Sequence, residues 1–297
     1  MASEASRSGE ADGAFVVHLD LDGARHIYRA HGWTYAHEDD PLYETGLTRA
    51  LDFFDEQQVQ ATLFLVLWST STMAALDLSA ARVEQLDNGL TLIMLENHSL
   101  PVVSVQMLYT AGARDETTGK TGLAHFLEHM AFRESEHFPD TQLVSSIYAI
   151  GGEWHGYTWL DQTTYFATVP AAELELLLRI EADRMDRLII PQNDIEAERG
   201  AVLTELHSYE NDPNSVLQDH VLYQSFLGHP YRNNTIGWAS DVENLSHDDL
   251  VTFYQRHYHP GNAVLAVVGD IQPEQVMQSV AKLFGEFEGH PPTPRPH

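Results

Sequence analysis

The sequence predicts an α+β domain in which helices cover one face of a largely antiparallel sheet, preceded by a short β–α–β fragment. Three observations predict it. Apolar residues alternate over short stretches and recur at helical spacing over longer ones. These stretches come as strands, helices, strands, helices, a strand and a helix, an order that places helices against an antiparallel sheet. An Asp87-Asn88-Gly89 turn joins two apolar runs, and Asn-Gly is the strongest short hairpin signal because both residues tolerate positive φ.

Residues 1–12 are small, polar and charged, the composition of a disordered segment. Residues 14–21 (AFVVHLDL) read as a strand. Residues 42–58 carry helical apolar spacing at Leu47, Leu51 and Phe54, and 61–68 (ATLFLVLW) reads as a buried strand. That last run is the longest strongly apolar one, and it is far short of a membrane span. This β–α–β fragment, placed at 13–76, is too small to close a core by itself.

A second pattern, placed at 77–288, opens with the hairpin of 83–86 and 90–95. Residues 101–109 alternate like a strand. Helices are predicted over 121–134, 140–149, 171–188 and 192–209, with strands at 153–158 and 162–168 between the second and third. Pro191 opens the 192–209 helix, with Asp194 and Glu196 in the first turn where the helix dipole favours acids. Gly200 inside that helix costs about 1 kcal/mol against alanine, which predicts a close helix–helix approach there. Ser246, with Asp249 three residues on, caps a helix over 247–257. A strand at 262–269 and a helix at 273–284 complete the domain, and 289–297 form a proline-rich, linker-like tail.

Composition narrows the function. The chain has 297 residues, 16 of them basic and 44 acidic, for a formal charge of −28. Such a surface repels phosphate backbones and anionic lipid, so nucleic acid is not the expected partner; the acidity itself reads first as a solubility device. Cysteine is absent, so any metal must sit on histidine and carboxylate. The N-terminal MASEASRSGEADG has no apolar core, so a secretory signal is not expected, and the protein is expected to be soluble with its compartment open.

The chemistry concentrates at His125-Phe126-Leu127-Glu128-His129. Positions i, i+3 and i+4 share one helix face, so two imidazoles can reach one ion while the carboxylate reaches a water on it. Zinc suits this set, being content with nitrogen and oxygen ligands in a tetrahedral site. The surrounding Leu123, Ala124, Phe126, Leu127, Met130, Ala131 and Phe132 make the helix apolar nearly all round, and burying His, Glu and His without a partner would be costly. A third ligand is expected from a second helix. Glu198 and Glu205 lie seven residues, about two turns, apart on one face. One can bind metal while the other orients a ligand histidine; spacing alone leaves the two roles open.

With these residues in view, 80–286 resemble the N-terminal catalytic domain of the pitrilysin (insulinase) family of zinc metallopeptidases, which includes insulin-degrading enzyme and mitochondrial processing peptidase. The resemblance runs through Leu86-Asp87-Asn88-Gly89-Leu90, Gly112-Ala113-Arg114-Asp115-Glu116, Gly122 to Met130, Gly151-Gly152, Thr158 with Thr163 to Phe166, Glu181 to Met185, Glu198-Arg199 to Glu205, and Tyr258 to Asn262. It implies that His125 and His129 bind one zinc ion per chain, that Glu205 is the metal-binding glutamate, and that Glu198 supports a ligand histidine from behind. Glu128 then matches the general base that activates water for peptide-bond hydrolysis. The family binds an extended peptide along a sheet edge, and the matching edge is His155-Gly156-Tyr157-Thr158, where the family usually carries Asn-Ala-x-Thr. His155 is either a replacement polar contact or a surface histidine. Trp154, Tyr157 and Trp159 can line the same edge or pack within it. His207, His220, His229, His257 and His259 lack ligand spacing and read as surface or packing residues.

The family closes a chamber from further domains, so the resemblance implies a peptide or unfolded-protein substrate and a partner chain or C-terminal domains that complete the active unit. A non-catalytic partner subunit of a processing peptidase is the alternative, against which the intact HxxEH stands. The early segment resembles something else: His18 to Gly23, Gly46 to Leu51 and Ala61 to Phe64 look like the opening of a NodB-type polysaccharide deacetylase. That family's later HxxxH ligand pair has no counterpart here, and His26 and His31 sit at the wrong place and spacing.

Overall fold

The computed structural model describes residues 14–19, 63–68, 80–226 and 228–291. The chain divides into two compact units, Met1–Ala80 and Ala81–His297.

In the first unit, β1 (Ala14–Leu19) pairs antiparallel with β2 (Leu63–Trp68), with Val16 opposite Val66. A β–α–β order in sequence does not fix strand direction, because a long connection permits either. The helix expected at 42–58 and most of the deacetylase-like stretch lie outside the described residues.

The second unit is built on a six-stranded sheet. Its strands are β3 (Arg82–Gln85), β4 (Thr91–Glu96), β5 (Val102–Tyr109), β7 (Glu153–Thr158), β8 (Thr163–Pro170) and β10 (Ala263–Gly269), in the spatial order β3-β4-β10-β5-β8-β7. Every pairing is antiparallel except β10 with β4. A two-stranded ladder, β6 (Glu134–Ser135) with β9 (Leu188–Ile189), lies apart. The hairpin forms where Asn-Gly predicts it: Gly89 takes φ +93° and Leu86 N donates to Leu90 O at 2.9 Å.

The core follows the period-two pattern. Val103, Val105, Met107 and Tyr109 on β5, with Tyr165, Ala167 and Val169 on β8, are at most 5% exposed and share one cluster with the helices. Those helices are α1 (Leu123–Met130), α2 (Gln142–Ala149), α3 (Leu174–Asp186), α4 (Gln192–Glu210), α5 (Pro213–Ser225), the single turn α6 (Ala239–Val242), α7 (His247–His257) and α8 (Pro273–Phe284). Ser246 and Asp249 make the reciprocal cap of α7: Asp249 N donates to Ser246 Oγ at 3.2 Å, and Ser246 N to Asp249 Oδ2 at 2.8 Å.

Some expectations changed. The 121–134 helix is shorter, because Gly122 starts it at φ +82° and the chain turns away after Ala131 towards β6. The α5 helix has no apolar face to announce it and no buried residue; its only sequence signal is Asp212-Pro213, where Asp212 Oδ2 accepts from Ser215 N at 2.9 Å. Gly200 does not mark a close approach, since a Cβ there would meet nothing within 4 Å. The start of the tail is packed: His290 N donates to His259 Nδ1 at 3.4 Å, and Gly289 lies against the Asn88 carbonyl.

Candidate metal centre

The HxxEH helix is fixed at both ends before its side chains are considered. At its start, the Glu116 carboxylate accepts from Gly122 N at 2.9 Å and Ala124 N at 2.8 Å, satisfying amides that a helix N-terminus leaves open. Gly122 is required there, because a Cβ would stand 2.4 Å from the Ile236 carbonyl oxygen. At its end, Arg184 Nε donates to Ala131 O at 3.2 Å. Arg184 is itself 2% exposed, ion-paired with buried Glu181, and lies 4.3 Å from the Tyr165 ring centroid. Asp183 accepts from Ser135 Oγ and His137 N, pinning the turn that follows. Neither Glu116 nor Arg184 was singled out from sequence, although both lie in the matching stretches; each acts through a backbone group that the sequence does not reveal.

Held this way, α1 buries seven of its eight residues, His125 and Glu128 among them. The two imidazoles lie 4.7 Å apart, centroid to centroid. Glu205 on α4 reaches both, with Oε2 3.6 Å from His125 Nε2 and 3.3 Å from His129 Nε2. Glu198, two turns earlier on α4, binds the far side of His129, with Oε2 3.1 Å from Nδ1, while its Oε1 accepts from Arg133 at 2.8 Å. The two glutamates that sequence spacing left interchangeable are thus distinct in space.

The donor set fits a tetrahedral ion. Bonds of about 2.1 Å put the ligand atoms of a tetrahedral zinc about 3.4 Å apart, and the two histidine–Glu205 separations bracket that value. The His125, His129 and Glu205 ligand atoms all lie within 4.8 Å of one another. His125 Nδ1 is buried without a hydrogen-bond partner, so its ring is desolvated with only Nε2 engaged.

Electrostatics agree with this geometry. Burial, helped by the neighbouring His129, pushes His125 down to about 4 against the pull of Glu205. Burial also opposes charge on His129, yet hydrogen bonds to Glu198 and Glu205 prevail and push it up to about 9. Hydrogen bonds to His129 hold Glu198 and Glu205 below the ordinary carboxylate range. Burial pushes Glu128 up to about 7, although the Thr158 hydroxyl bonds its carboxylate. Positive charge is thus favoured on His129 over His125, and a cation held by both rings and Glu205 would compete with that protonation.

β7 forms the wall beside Glu128 and is an edge strand, paired with β8 alone among the described residues. Period two divides its side chains. Trp154, Gly156 and Thr158 face α1: Trp154 packs on Phe132 at 4.3 Å, a Cβ on Gly156 would meet Phe132 and Glu128, and Thr158 Oγ1 donates to Glu128 Oε2 at 2.7 Å. His155 and Tyr157 face the other way against Phe166, His155 stacking at 5.1 Å. His155 is therefore not beside Glu128, and Thr158 spends its hydroxyl on Glu128. Trp154, Tyr157 and Trp159 all line a cleft of about 880 Å³ that runs from the three-residue cluster to α5.

Family models match two stretches of the chain: residues 92–238 match insulinase (peptidase family M16), and 244–297 match the peptidase M16 inactive domain. The chain belongs to the insulinase, or M16, peptidase family. The second stretch supplies α7, α8 and β10, and β10 lies between β4 and β5, so within this chain it completes the same sheet. A probable mitochondrial-processing peptidase subunit beta from Arabidopsis thaliana is 32% identical over 212 residues, covering 71% of this chain and 40% of that protein. The zinc protease PqqE of Helicobacter pylori is 32% identical over 202 residues, covering 67% of this chain and 45% of the relative. The chain thus spans less than half the length of either relative. A crystal structure of a protease from Helicobacter pylori matches with a TM-score of 0.69 at 28% identity, covering 73% of this chain and 53% of that one. Among the described residues, no helix is long and apolar enough to cross a membrane.

Proposed function

We propose that the chain is the zinc-binding catalytic portion of an endopeptidase. The observation that carries this reading is the convergence of His125 Nε2, His129 Nε2 and Glu205 Oε2 at separations that suit one tetrahedral ion. Relatives named as zinc proteases support zinc as that ion. Zinc bound there would supply an acidified water and polarise the scissile carbonyl. Glu128, one residue before His129, takes a proton from water and passes it to the leaving amine. Glu198 fixes the His129 ring from behind. The open edge of β7 receives an extended peptide as an added strand, and Gly156 lets Phe132 and Glu128 pack directly against that strand. His155 and Tyr157 pack against Phe166 and also line the cleft, which leaves their side chains available to a peptide paired with β7. The substrate is a peptide or an unfolded protein, and the greater length of the relatives supports further domains or a partner chain that cover the cleft.

The test is zinc stoichiometry together with hydrolysis of a quenched peptide library, for wild type and Glu128→Gln, with and without candidate second-half chains. Glu128→Gln should keep zinc and abolish hydrolysis. Activity that survives the substitution would sink the assignment of Glu128, and zinc binding without cleavage in any combination would favour a non-catalytic partner subunit.

A further inference from the structure

We propose that Thr158 is a positioning residue for Glu128: its hydroxyl locks one carboxylate oxygen to the edge strand and leaves the other for the reaction. This rests on the reading of Glu128 as general base. Thr158 Oγ1 donates to Glu128 Oε2 at 2.7 Å, and both residues are 7% exposed. Withdrawal of both side chains from bulk solvent strengthens such a bond.

The direction of the proton follows from the neighbours. Thr163 is the cross-strand partner of Thr158 in the β7–β8 register, and the two hydroxyl oxygens lie 3.5 Å apart. Thr163, fully buried, donates its one proton to the Ala111 carbonyl at 2.9 Å. A hydroxyl has a single proton to give. Thr163 can therefore only accept from Thr158, and its oxygen is the more distant acceptor at 3.5 Å, so the proton of Thr158 goes to the Glu128 carboxylate at 2.7 Å. The turn is itself tied by Trp159 N to Gln162 O at 2.7 Å, so the hydroxyl is presented from a fixed backbone.

Glu128 is thereby divided. Oε2 is held by the strand. Oε1 carries no hydrogen bond among the described residues and lies 3.1 Å from the place a Gly156 Cβ would occupy, on the side where the strand has no side chain. A glutamate has three side-chain torsions, and a carboxylate that must meet a small reacting molecule loses rate quickly when displaced. Thr158 removes that freedom from outside the metal's ligand set. Its β-branched side chain itself has few rotamers.

The test compares wild type, Thr158→Val and Thr158→Ser on the full chain, loaded with zinc and supplied with whichever second-half chain gives turnover. Valine keeps the shape and removes the donor; serine keeps the donor. Crystal structures of all three give the position of the Glu128 carboxylate independently of activity. The proposal expects Thr158→Val to release the carboxylate by about 1 Å or more, to lower kcat about 10- to 100-fold with little change in KM, and to keep zinc stoichiometry. Thr158→Ser should hold the carboxylate in place and restore most of kcat. An unmoved carboxylate in Thr158→Val overturns the proposal, and so does loss of zinc in step with activity, which would make Thr158 part of the scaffold instead. Absence of hydrolysis by wild type in every combination refutes the peptidase reading, and the carboxylate positions then decide the positioning role by themselves.

Discussion

Two helices line the same cleft under opposite physical regimes. α1 buries every one of its eight residues except His129, which is half-buried at the cleft, and carries His125 and Glu128 into the protein interior. α5 lines the far wall with Ser215, Gln218, Asp219 and Leu222 and buries nothing, while Leu217 and Val221 stay more than half exposed. The polar groups of α1 are desolvated and must be matched one by one: by Glu205 and Glu198 for the imidazoles, and by Thr158 for Glu128. On α5, Gln218 is exposed, and the half-buried Ser215 and Asp219 are bonded to Asp212 and Asn234 near the surface. The difference teaches where precision sits in this cleft. Chemistry lies on the wall that packing immobilises, and the wall that can yield carries none of the converging metal donors.

The largest test of this contrast removes a donor from the immobilised side. Glu205→Ala should lose stoichiometric zinc as measured by metal analysis, and chelation should lower the melting temperature of wild type but not of the variant, because metal that binds only the folded chain stabilises it by mass action. Zinc retained at full stoichiometry would show that the convergence of the three donors is not the site.

Next comes packing. Leu127, fully buried on α1, and Leu217, 64% exposed on α5, are the same residue in the two regimes. Leu127→Ala should cost about 2–5 kcal/mol in urea unfolding, whereas Leu217→Ala should stay within about 0.5 kcal/mol. Equal losses would erase the distinction drawn between the walls.

A smaller effect should come from Glu198→Gln, which keeps the shape and weakens the support of His129. Zinc affinity should fall about 10- to 100-fold in a chelator competition. No change would demote Glu198 to a partner of Arg133 alone.

The smallest concerns Gly200. A Cβ there meets open space on an exposed stretch of α4, so Gly200→Ala should stabilise the chain by about 0.4–1 kcal/mol. The same change at Gly122, where φ is +82° and a carbonyl stands 2.4 Å from the added carbon, should instead destabilise it. A loss of stability at both positions would mean that α4 is more closely packed than its exposed stretch implies.

Local periodicity carried much of this into the sequence. The sharing of one face by His125, Glu128 and His129 follows from 3.6 residues per turn and needs no tertiary structure. The hairpin at Asn88-Gly89, the cap at Ser246 and the strand-and-helix order of an α+β domain are legible for the same reason: each depends on residues within one or two turns of one another. The α5 helix escaped because it is amphipathic towards nothing, and Gly200 misled because a helical glycine looks alike whether it faces a neighbour or solvent.

What the tertiary structure decided is what depends on distance along the chain. Seven residues of spacing put Glu198 and Glu205 on one face, and only the placement of α4 against α1 gives Glu205 both Nε2 atoms and Glu198 the Nδ1 of His129. The sequence could order β10 last, but only non-local pairing inserts it between β4 and β5 and runs it parallel to β4. The alternation of β7 was readable, yet which half of it faces Glu128 was not, because period two fixes that neighbours point apart and leaves open which way each points. The sequence alone determined the chemistry available on one helix. Packing of distant elements determined which groups share that chemistry, since a side chain's partner across a core is set by three-dimensional register, and local spacing carries no record of it.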